Sequence, residues 1–370
     1  MKMSDNLKRY VAIRDTLKQL APKQLSGNSL RRLHTLAALI SGIVGSGRTS
    51  LPHVASKVPD GKQRDSRVKR FERFLKNQHI TQETFFLPFA QALLAGLPPA
   101  SGPLVLVMDA SDVGRGCLAL VVSVVFKKRA LPIGWMVVKG NKGHLPDETH
   151  QELLRQVAPL VPQERSVIFL GDGEFDGCAL LAALGRQGWA FVCRTAKNTQ
   201  LVESDFPGCP FSFEQLCLCI GPGEFIEVPD AFFTGAGLGP LLAVVVWEIG
   251  YKEPLVLVSN LELGQEALFW YKKRFLIETL FSDQKSRGFF LHKSHLCDPS
   301  RLARLLLATC LAYIWLVLLG AQVKRNRLWR GKVHRGSRCD LSLFSLGRAW
   351  LEECLNEGWR VPVAFTLSKM

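Results

Sequence analysis

Hydrophobic residues recur at helical spacing over the first part of the chain and are gathered into short apolar runs further along. Intervals of three and four predict helices over residues 7–20 and 30–44, and a Ser-Leu-Pro triplet at 50–52 is typical of a helix start with proline in its first turn. Another helix is expected over residues 66–75. Residues 96–103 are dense in glycine and proline. The chain before this break is therefore predicted to be all-α.

The apolar runs that follow the break predict a sheet. Strands are expected at residues 104–108, 117–126, 130–138, 166–170 and 189–193, and helices at 148–161 and 176–187. Three strands, a helix, a strand, a helix and a strand is the element order of an RNase H-like mixed α/β core, in which the first and fourth strands are neighbours. Residues 195–263 carry further β and turn patterns and are too long for a plain loop, so a β-strand insertion is predicted there.

Acidic residues follow two of the predicted strands. Asp109 comes after the first strand and Asp172 after the fourth. Ligand sites in such sheets collect at the carboxyl ends of the strands, so both carboxylates are expected to face one crevice. Asp112 is an alternative to Asp109 and is assigned to the following turn. Because an aspartate after a strand is also a common turn or cap residue, a purely structural role stays open for each.

A stretch near residue 280 carries two cations, a carboxylate and a tyrosine at helical spacing. Tyr271, Arg274, Glu278 and Lys285 fall on one stripe of a single predicted helix. Phe275 and the apolar residues at 276, 277, 280 and 281 are expected to pack the other faces onto a core. The alternative is a solvated amphipathic helix with ordinary ion pairs.

The order and spacing of these four residues resemble the Y-R-E-K signature of the insertion-sequence-four family of bacterial DDE transposases. The resemblance implies that Asp109, Asp172 and Glu278 are catalytic residues on an RNase H-like fold and bind two Mg²⁺ ions, with Mn²⁺ as a substitute. Carboxylates suit this role because Mg²⁺ prefers oxygen donors and paired ions stabilise the attacking and leaving oxygens of a phosphodiester. The resemblance also implies DNA contacts near the cut from Tyr271, Arg274 and Lys285.

The chain departs from this family in two places. Relatives often have Asp-Arg-Gly-Phe-Asp around the second acid, whereas residues 172–176 are Asp-Gly-Glu-Phe-Asp and lack the basic side chain. Some relatives hold a flipped base with a tryptophan on an insertion strand during a hairpin step. The corresponding residues 253–256 are Glu-Pro-Leu-Val here, and Trp247 is a nearby candidate. The sequence therefore leaves the use of a hairpin intermediate open.

The distribution of charge indicates a polyanionic partner. The sequence has 47 Lys and Arg against 32 Asp and Glu, a net charge of +15, and its basic residues concentrate towards both ends. Such a footprint is typical of nucleic-acid-binding proteins. The predicted helix at 66–75 is expected to present four cations to DNA: Arg67, Lys69, Arg70 and Arg73. Residues 324–338, with Trp329 among them, are a second predicted DNA contact, and a solvated basic segment is the alternative in both places.

Residues 305–323 are almost free of charge and nearly long enough to cross a bilayer. The polar remainder of the chain favours a helix buried on all sides, with a membrane helix as the less favoured interpretation. The first 20 residues lack the apolar region of a signal peptide. Ten cysteines without regular spacing fit reduced thiols. The expectation is a cytoplasmic protein at the bacterial nucleoid, without a membrane partner.

Four regions are predicted: a helical DNA-binding domain at 1–95, an RNase H-like core at 104–194 and 264–322, a β insertion at 195–263, and a basic C-terminal segment at 323–370. The resemblance implies a transposase that binds the terminal inverted repeats of an insertion sequence and catalyses metal-dependent cleavage and strand transfer on double-stranded transposon ends and target DNA. Synapsis of two ends implies a homodimer. The alternatives are a domesticated, non-catalytic DNA-binding protein and a structure-selective RNase H-like nuclease.

Overall fold

The structure is a computed structural model and describes residues 3–20, 27–99, 102–140, 145–336 and 338–367. Residues 100 and 101 of the predicted break, and residue 337 of the predicted second DNA contact, lie outside these ranges.

Helices fill the described N-terminal region because its apolar residues repeat at intervals of three and four and bury one face of each helix. In chain order these helices are α1 (Asp5–Leu20), α2 (Gly27–Ser46), α3 (Leu51–Ser56), α4 (Arg64–Lys76), α5 (Gln82–Phe85) and α6 (Leu87–Ala95). The predicted all-α region is confirmed. Helix α3 also begins as predicted, with Ser50 as its N-cap and Pro52 in its first turn.

One mixed sheet organises the rest of the described chain. Its strands are β1 (Leu104–Asp112), β2 (Cys117–Phe126), β3 (Arg129–Lys139), β4 (Val167–Gly171), β5 (Ala190–Arg194), β6 (Gln200–Glu203), β7 (Phe211–Ser212), β8 (Phe225–Phe233), β9 (Leu241–Val246) and β10 (Leu255–Ser259). They lie in the order β3-β2-β1-β4-β5-β10-β9-β8-β6-β7. β1 is parallel to β4 and β4 to β5, whereas β2 is antiparallel to both its neighbours. The predicted RNase H-like order, with the first and fourth strands adjacent, is confirmed.

The strands of the predicted insertion extend this same sheet. β10 pairs antiparallel with β5, and β9 and β8 follow outward in the same sheet. The insertion therefore covers an edge of the core sheet that would otherwise expose unpaired backbone groups. A short helix that the sequence pattern did not predict, α9 (Phe213–Leu218), begins at a capping box formed by Ser212 and Gln215.

Further helices pack on the sheet and follow it. They are α7 (Asp147–Val157), α8 (Cys178–Arg186), α10 (Gly264–Tyr271), α11 (Leu276–Gln284), α12 (Pro299–Arg325) and α13 (Leu343–Asn356). Helix α7 is shorter than the predicted 148–161 because Pro159 lacks a backbone donor, and the chain continues as a 3-10 turn over Ala158–Leu160.

The long apolar stretch is helix α12, and the prediction that it is buried is confirmed. This helix has 27 residues and is long and apolar enough to cross a membrane, but its most apolar window is 89% buried inside the protein. It contacts α2 and α4 of the N-terminal region, β3 of the sheet and α13 of the C-terminal segment. α12 therefore joins three of the four predicted regions, and residues of the β insertion belong to the same apolar core.

Helix α13 was not predicted, and it packs on α12 with an unusually close backbone approach. Gly320 of α12 and Gly347 of α13 face each other at the crossing. A Cβ atom on Gly320 would overlap the carbonyl oxygen of Leu343, and one on Gly347 would overlap that of Leu316. The absence of side chains at these two positions is what lets the helices touch.

We expect Gly320→Ala to destabilise the protein by about 1–3 kcal/mol or more, because the added methyl group has no space and the two helices must separate. Urea unfolding measures this loss. Gly185→Ala in α8 is a matched control, since nothing lies within 4 Å of the added carbon. It should be neutral or stabilise by up to about 1 kcal/mol. Equal stability of the two variants would contradict the close packing.

Candidate active site

Two aspartates lie where neighbouring parallel strands part. β1 pairs with β4 as far as Val107 and Leu170, but it continues along β2 to Asp112. Asp109 therefore lies within β1, and the prediction that it follows the strand is wrong, because pairing with β2 prolongs β1. Asp172 follows β4 directly, as predicted. Both side chains line the same cleft.

Backbone groups orient both carboxylates. Asp109 Oδ1 accepts a hydrogen bond from Ala110 N at 2.7 Å, and Asp172 Oδ1 accepts one from Glu174 N at 3.0 Å. Burial and the negative charge of Asp172 raise the pKa of Asp109 to about 6, against the attraction of Arg274. Two acids held this close together in a partly buried site favour a bound cation.

Asp112, the alternative first acid, is the last residue of β1, so its predicted place in the following turn is wrong, because pairing with β2 prolongs the strand. Its Oδ1 accepts a hydrogen bond from Gly114 N at 2.6 Å, and Gly114 has a φ of 110° that favours glycine. Asp112 is exposed at the rim of the cleft. The acids whose charges act on Asp109 are Asp172 and Glu278. This geometry favours Asp109 over Asp112 as the first acid of the site.

The predicted single helix over residues 271–285 is wrong. α10 ends at Tyr271 and α11 begins at Leu276, and the residues between them form tight turns such as the hydrogen bond from Arg274 N to Tyr271 O at 2.8 Å. Bonds between residues three apart wind the chain more tightly than an α-helix. The side chains of residues 272–275 therefore point in other directions than in a continuous α-helix. Phe275 is 60% exposed instead of packing on the core.

Arg274 joins the acid of α11 to the acid of β1. Arg274 Nη2 lies 3.1 Å from Glu278 Oε1, and Arg274 Nη1 lies 3.5 Å from Asp109 Oδ2. The guanidinium is largely buried, whereas Glu278 is about half exposed to the cleft. One planar cation thus ties the first turn of α11 to the edge of the sheet.

The candidate site is an open cleft of 860 Å³ that contains all three predicted acids and Arg274. Lys285 also lines it, just past the end of α11, and its Nζ donates to Ser111 Oγ at 2.6 Å. Tyr271 instead lines an adjoining groove of 820 Å³, which shares Arg194 and Arg274 with the cleft. Six residues were predicted for the catalytic site. The structure brings five of them into one cleft and places the sixth, Tyr271, beside it.

Sequence reasoning missed Arg194, which lines both the cleft and the adjoining groove. It is the last residue of β5, and β5 runs parallel to β4, so its side chain reaches the edge of the sheet where Asp172 lies. A signal was available, because a cation directly follows the predicted strand at 189–193. The prediction used acids alone to mark strand ends.

Glu174, two residues after Asp172, is tied to α7 and to the residues just before it. Glu174 Oε1 accepts a hydrogen bond from Leu145 N at 2.7 Å and lies 3.6 Å from Nε2 of the buried His150. The ring of His150 also packs against Phe175. The loop that follows Asp172 is therefore braced by α7 and by the residues just before it.

The four predicted DNA-binding cations of α4 fall into two pairs. Lys69 and Arg73 are exposed. Arg67 Nε lies 2.5 Å from Asp60 Oδ1, and Arg70 Nη1 lies 2.9 Å from Asp60 Oδ2. Because Asp60 draws Arg67 and Arg70 inward, these two hold the preceding loop against the helix, and only the other pair faces outward as expected.

The predicted second DNA contact folds back on a buried tryptophan. Trp329 is 5% exposed, and its carbonyl oxygen accepts hydrogen bonds from Val333 N at 3.0 Å and His334 N at 3.1 Å. The guanidinium of Arg330 lies over the indole ring. Trp329 is therefore an anchor for this segment and is not available to stack on DNA.

The donor set of the cleft fits Mg²⁺ in its chemistry. Asp109, Asp172 and Glu278 offer only carboxylate oxygens, and a cation would relieve the crowding that raises the pKa of Asp109. Within the described ranges, no three His, Cys, Asp or Glu side chains are already gathered closely enough to hold a metal ion. An ion held by all three acids would compete with Arg274, which lies 3.1 Å from Glu278 Oε1 and 3.5 Å from Asp109 Oδ2.

Comparison with known protein families assigns most of the chain to one family. Residues 100–315, more than half of the chain, match the family model described as the transposase DDE domain. The chain therefore belongs to the transposase DDE domain family. No curated protein sequence is significantly similar to it.

Several solved structures are similar at low sequence identity. A piggyBac transposase synaptic complex with hairpin DNA has a TM-score of 0.47 at 11% identity, over 94% of this chain and 76% of that chain. Endonuclease V of Ciona intestinalis, in complex with a 24mer DNA, has a TM-score of 0.25 at 13% identity, over 49% and 82% of the two chains. The catalytic domain of human endonuclease V has a TM-score of 0.27 at 13% identity, over 71% and 98%.

A buried carboxyl anchors α11 beneath the cleft. Asp283 is 4% exposed, and its Oδ2 lies 3.8 Å from Arg129 Nη1. Burial raises the pKa of Asp283 from 3.8 to about 6, against the attraction of Arg129 and Arg287. Because this carboxyl binds its proton more tightly in the folded protein, the resulting stability is present below about pH 4 and is lost as the pH rises through 6.

We expect Asp283→Asn to remove this part of the pH dependence, because the amide cannot ionise. Relative to the wild type, the variant should gain about 1–3 kcal/mol in free energy of unfolding between pH 4 and pH 7.5. Urea unfolding across this range measures the difference. Asp205→Asn, at an exposed position, should keep the wild-type profile. Parallel profiles for Asp283→Asn and the wild type would contradict the role of burial.

Proposed function

We propose that this protein is a DNA transposase of the insertion-sequence-four type, which binds the terminal inverted repeats of an insertion sequence and carries out Mg²⁺-dependent DNA cleavage and strand transfer. The observation that carries the proposal is the single cleft lined by Asp109, Asp172 and Glu278, with Arg274 joining two of them. Membership of the transposase DDE domain family supports it. The partners are double-stranded transposon ends and target DNA.

In this proposal the three acids hold the divalent ions, for which Mn²⁺ can substitute. Bound ions of this kind stabilise charge on the attacking and leaving oxygens of the phosphodiester. Asp109 and Asp172 are already oriented by backbone N–H groups, so their carboxylates need little rearrangement. The carboxylates thus form a negatively charged site with a fixed geometry. The divalent ions would bind to this site and hold the phosphate next to it.

The cations of the cleft position DNA. Arg274 exchanges a carboxylate for a phosphate, which its planar fork binds equally well. Lys285, held by Ser111, adds a second positive charge on the cleft wall. Tyr271 contacts the strand that leaves through the adjoining groove. Because two transposon ends are joined to one target, the proposal includes a homodimer in the synaptic complex, acting on DNA in the cytoplasm.

We expect Asp109→Asn, Asp172→Asn and Glu278→Gln each to lower DNA cleavage by at least about 10³-fold, since loss of one oxygen ligand removes several kcal/mol of transition-state stabilisation. The assay is cleavage of a labelled fragment that carries the inverted repeats flanking the gene, with Mg²⁺ or Mn²⁺. Affinity for the same fragment without metal should stay close to that of the wild type. Asp112→Asn is the matched control and should cleave normally.

Each outcome of this assay changes the assignment. Wild-type cleavage by any of the three variants removes that residue from the site, and loss of cleavage only in Asp112→Asn moves the first acid to Asp112. Sequence-specific binding without cleavage by the wild type favours a domesticated DNA-binding protein. Cutting of branched DNA regardless of sequence favours a structure-selective nuclease.

Lys69 and Arg73, the exposed pair on α4, are expected to contribute to the affinity for DNA. Lys69→Ala and Arg73→Ala are each expected to weaken binding and to lower the slope of log affinity against log salt by about 1, with no change in melting temperature. Arg67→Ala and Arg70→Ala should instead lower the melting temperature, because Asp60 loses a partly buried partner. Fluorescence anisotropy at several salt concentrations and thermal unfolding separate the two effects. Equal losses of affinity from all four variants, without loss of stability, would assign all four to the DNA contact.

A further inference from the structure

Two exposed cations from distant parts of the sequence lie next to one aromatic ring. Arg48 is in the loop between α2 and α3, and Lys293 ends the 3-10 turn Leu291–Lys293 that follows α11. The Arg48 guanidinium lies 5.5 Å from the centroid of the Phe290 ring, and Lys293 Nζ lies 5.4 Å from it. An aromatic ring attracts a cation at such distances. We name Arg48, Phe290 and Lys293 the Phe290 cluster.

Hydrogen bonds from two parts of the chain fix the backbone of Phe290. Its carbonyl oxygen accepts a hydrogen bond at 3.2 Å from Oγ1 of Thr49, which is 1% exposed, and its N donates to Lys285 O at 2.7 Å. Phe290 has a φ of 52°, in the left-handed region that large side chains rarely adopt. The cluster is therefore a fixed junction between the helical N-terminal region and the segment that follows α11.

The Phe290 cluster lies at the rim of the candidate active site. Lys285, whose carbonyl oxygen accepts the hydrogen bond from Phe290 N, lines the cleft and donates to Ser111 Oγ. Ser111 follows Asp109 by two residues on β1. This chain of contacts places the Phe290 ring within roughly 20 Å of Asp109. A DNA strand with a phosphate in the cleft can therefore reach the cluster within a few nucleotides.

The turn that follows β1 packs on the same segment. A Cβ atom on Gly114 would lie 2.9 Å from His292 O, so the two backbones are in contact. Partial burial and the positive charges of Lys293 and Lys285 lower the pKa of His292, against the opposing effect of Asp112. Asp112 thus does not outweigh the two lysines at this ring. The positive potential of the cluster extends to the wall of the cleft.

The two cations of the Phe290 cluster have no carboxylate partner among the described residues. None of the ion pairs formed there includes Arg48 or Lys293. Both side chains are exposed, and their separation cannot exceed the sum of their distances from the ring. Like charges held this close together are stabilised by a polyanion that contacts both.

We propose that Arg48 and Lys293 together hold the DNA backbone a few nucleotides away from the phosphate in the cleft. Phe290 is the positioning residue that sets the separation of the two cations. The inference rests on the proposed function and assigns a further DNA contact to the same site. Arg48 belongs to the helical region and Lys293 follows the helix of the third acid, so one strand contacts both and its direction into the cleft is fixed. Such contacts are independent of DNA sequence.

The test uses the full chain without divalent metal and a labelled duplex that carries the inverted repeat. A neutral methylphosphonate replaces one phosphate at a time within about six base pairs of the repeat end, a span of roughly 20 Å. Fluorescence anisotropy at several salt concentrations gives the affinity for each duplex. The variant is Arg48→Gln with Lys293→Gln.

The matched control is Arg155→Gln with Arg186→Gln, which removes the same charge from the last turns of α7 and α8. These helices end shortly before β4 and β5 begin, whereas Asp172 and Arg194 mark the other ends of the two strands. The control therefore changes charge at the edge of the sheet that is opposite the cleft.

In the wild type and the control, neutralising one or two of these phosphates should weaken binding by about threefold or more each. The same replacements should have no effect in the variant, because its contacts to them are already lost. The variant should bind the unmodified duplex about tenfold or more weakly at physiological salt, and its salt slope should fall by about 2. Equal loss of affinity in the control, or phosphate effects that persist in the variant, overturns the inference.

The role of the ring is tested separately. Phe290→Leu keeps both charges, so its salt slope should equal that of the wild type, whereas its affinity should fall by about threefold or more because the cations are no longer held. Phe290→Tyr retains a ring and should restore the affinity. Wild-type affinity in Phe290→Leu, or the same loss in both variants, overturns the positioning role of Phe290.

Cleavage at the repeat ends separates this inference from the proposed function. Wild-type cleavage with phosphate effects that are unchanged in the Arg48 and Lys293 variant rejects the contact and leaves the transposase assignment in place. The expected phosphate effects in a wild type that does not cleave with Mg²⁺ or Mn²⁺ reject the catalytic assignment and retain the contact. Absence of binding to the duplex by the wild type overturns both.

Discussion

The structure depends on the burial of one helix that is apolar on all sides. α12 has no polar face to offer water, so it must be surrounded, and each of its leucine or isoleucine side chains contributes about 1.5–3 kcal/mol when fully buried. The N-terminal helices, the sheet and the C-terminal helix α13 all contribute to that surrounding. Regions that look separate along the sequence are therefore held in a fixed relation, and the exposed cations of α4 keep a constant direction relative to the cleft.

Charge balance determines the arrangement inside the cleft. Three carboxylates from β1, the end of β4 and α11 would repel one another in a partly buried site, and Arg274 compensates for part of that repulsion by bridging Asp109 and Glu278. The same guanidinium also ties α11 to the sheet. A metal ion or a phosphate that enters the cleft therefore competes for contacts that already stabilise the fold. Positioning of the third acid and binding of ligands are coupled through this one side chain.

The sequence by itself determined the strand order of the core, the buried state of α12 and the position of Asp172 directly after β4, because apolar periodicity and a strand-end acid are local signals; it placed Asp109 on the right strand but ended that strand too early. It did not determine the break between α10 and α11, since turns at 272–275 depend on how Arg274 meets the acids across 165 residues. Nor could it reveal that Asp60 draws Arg67 and Arg70 inward, or that Trp329 is an anchor. Those outcomes depend on contacts between distant parts of the chain, which only tertiary packing decides.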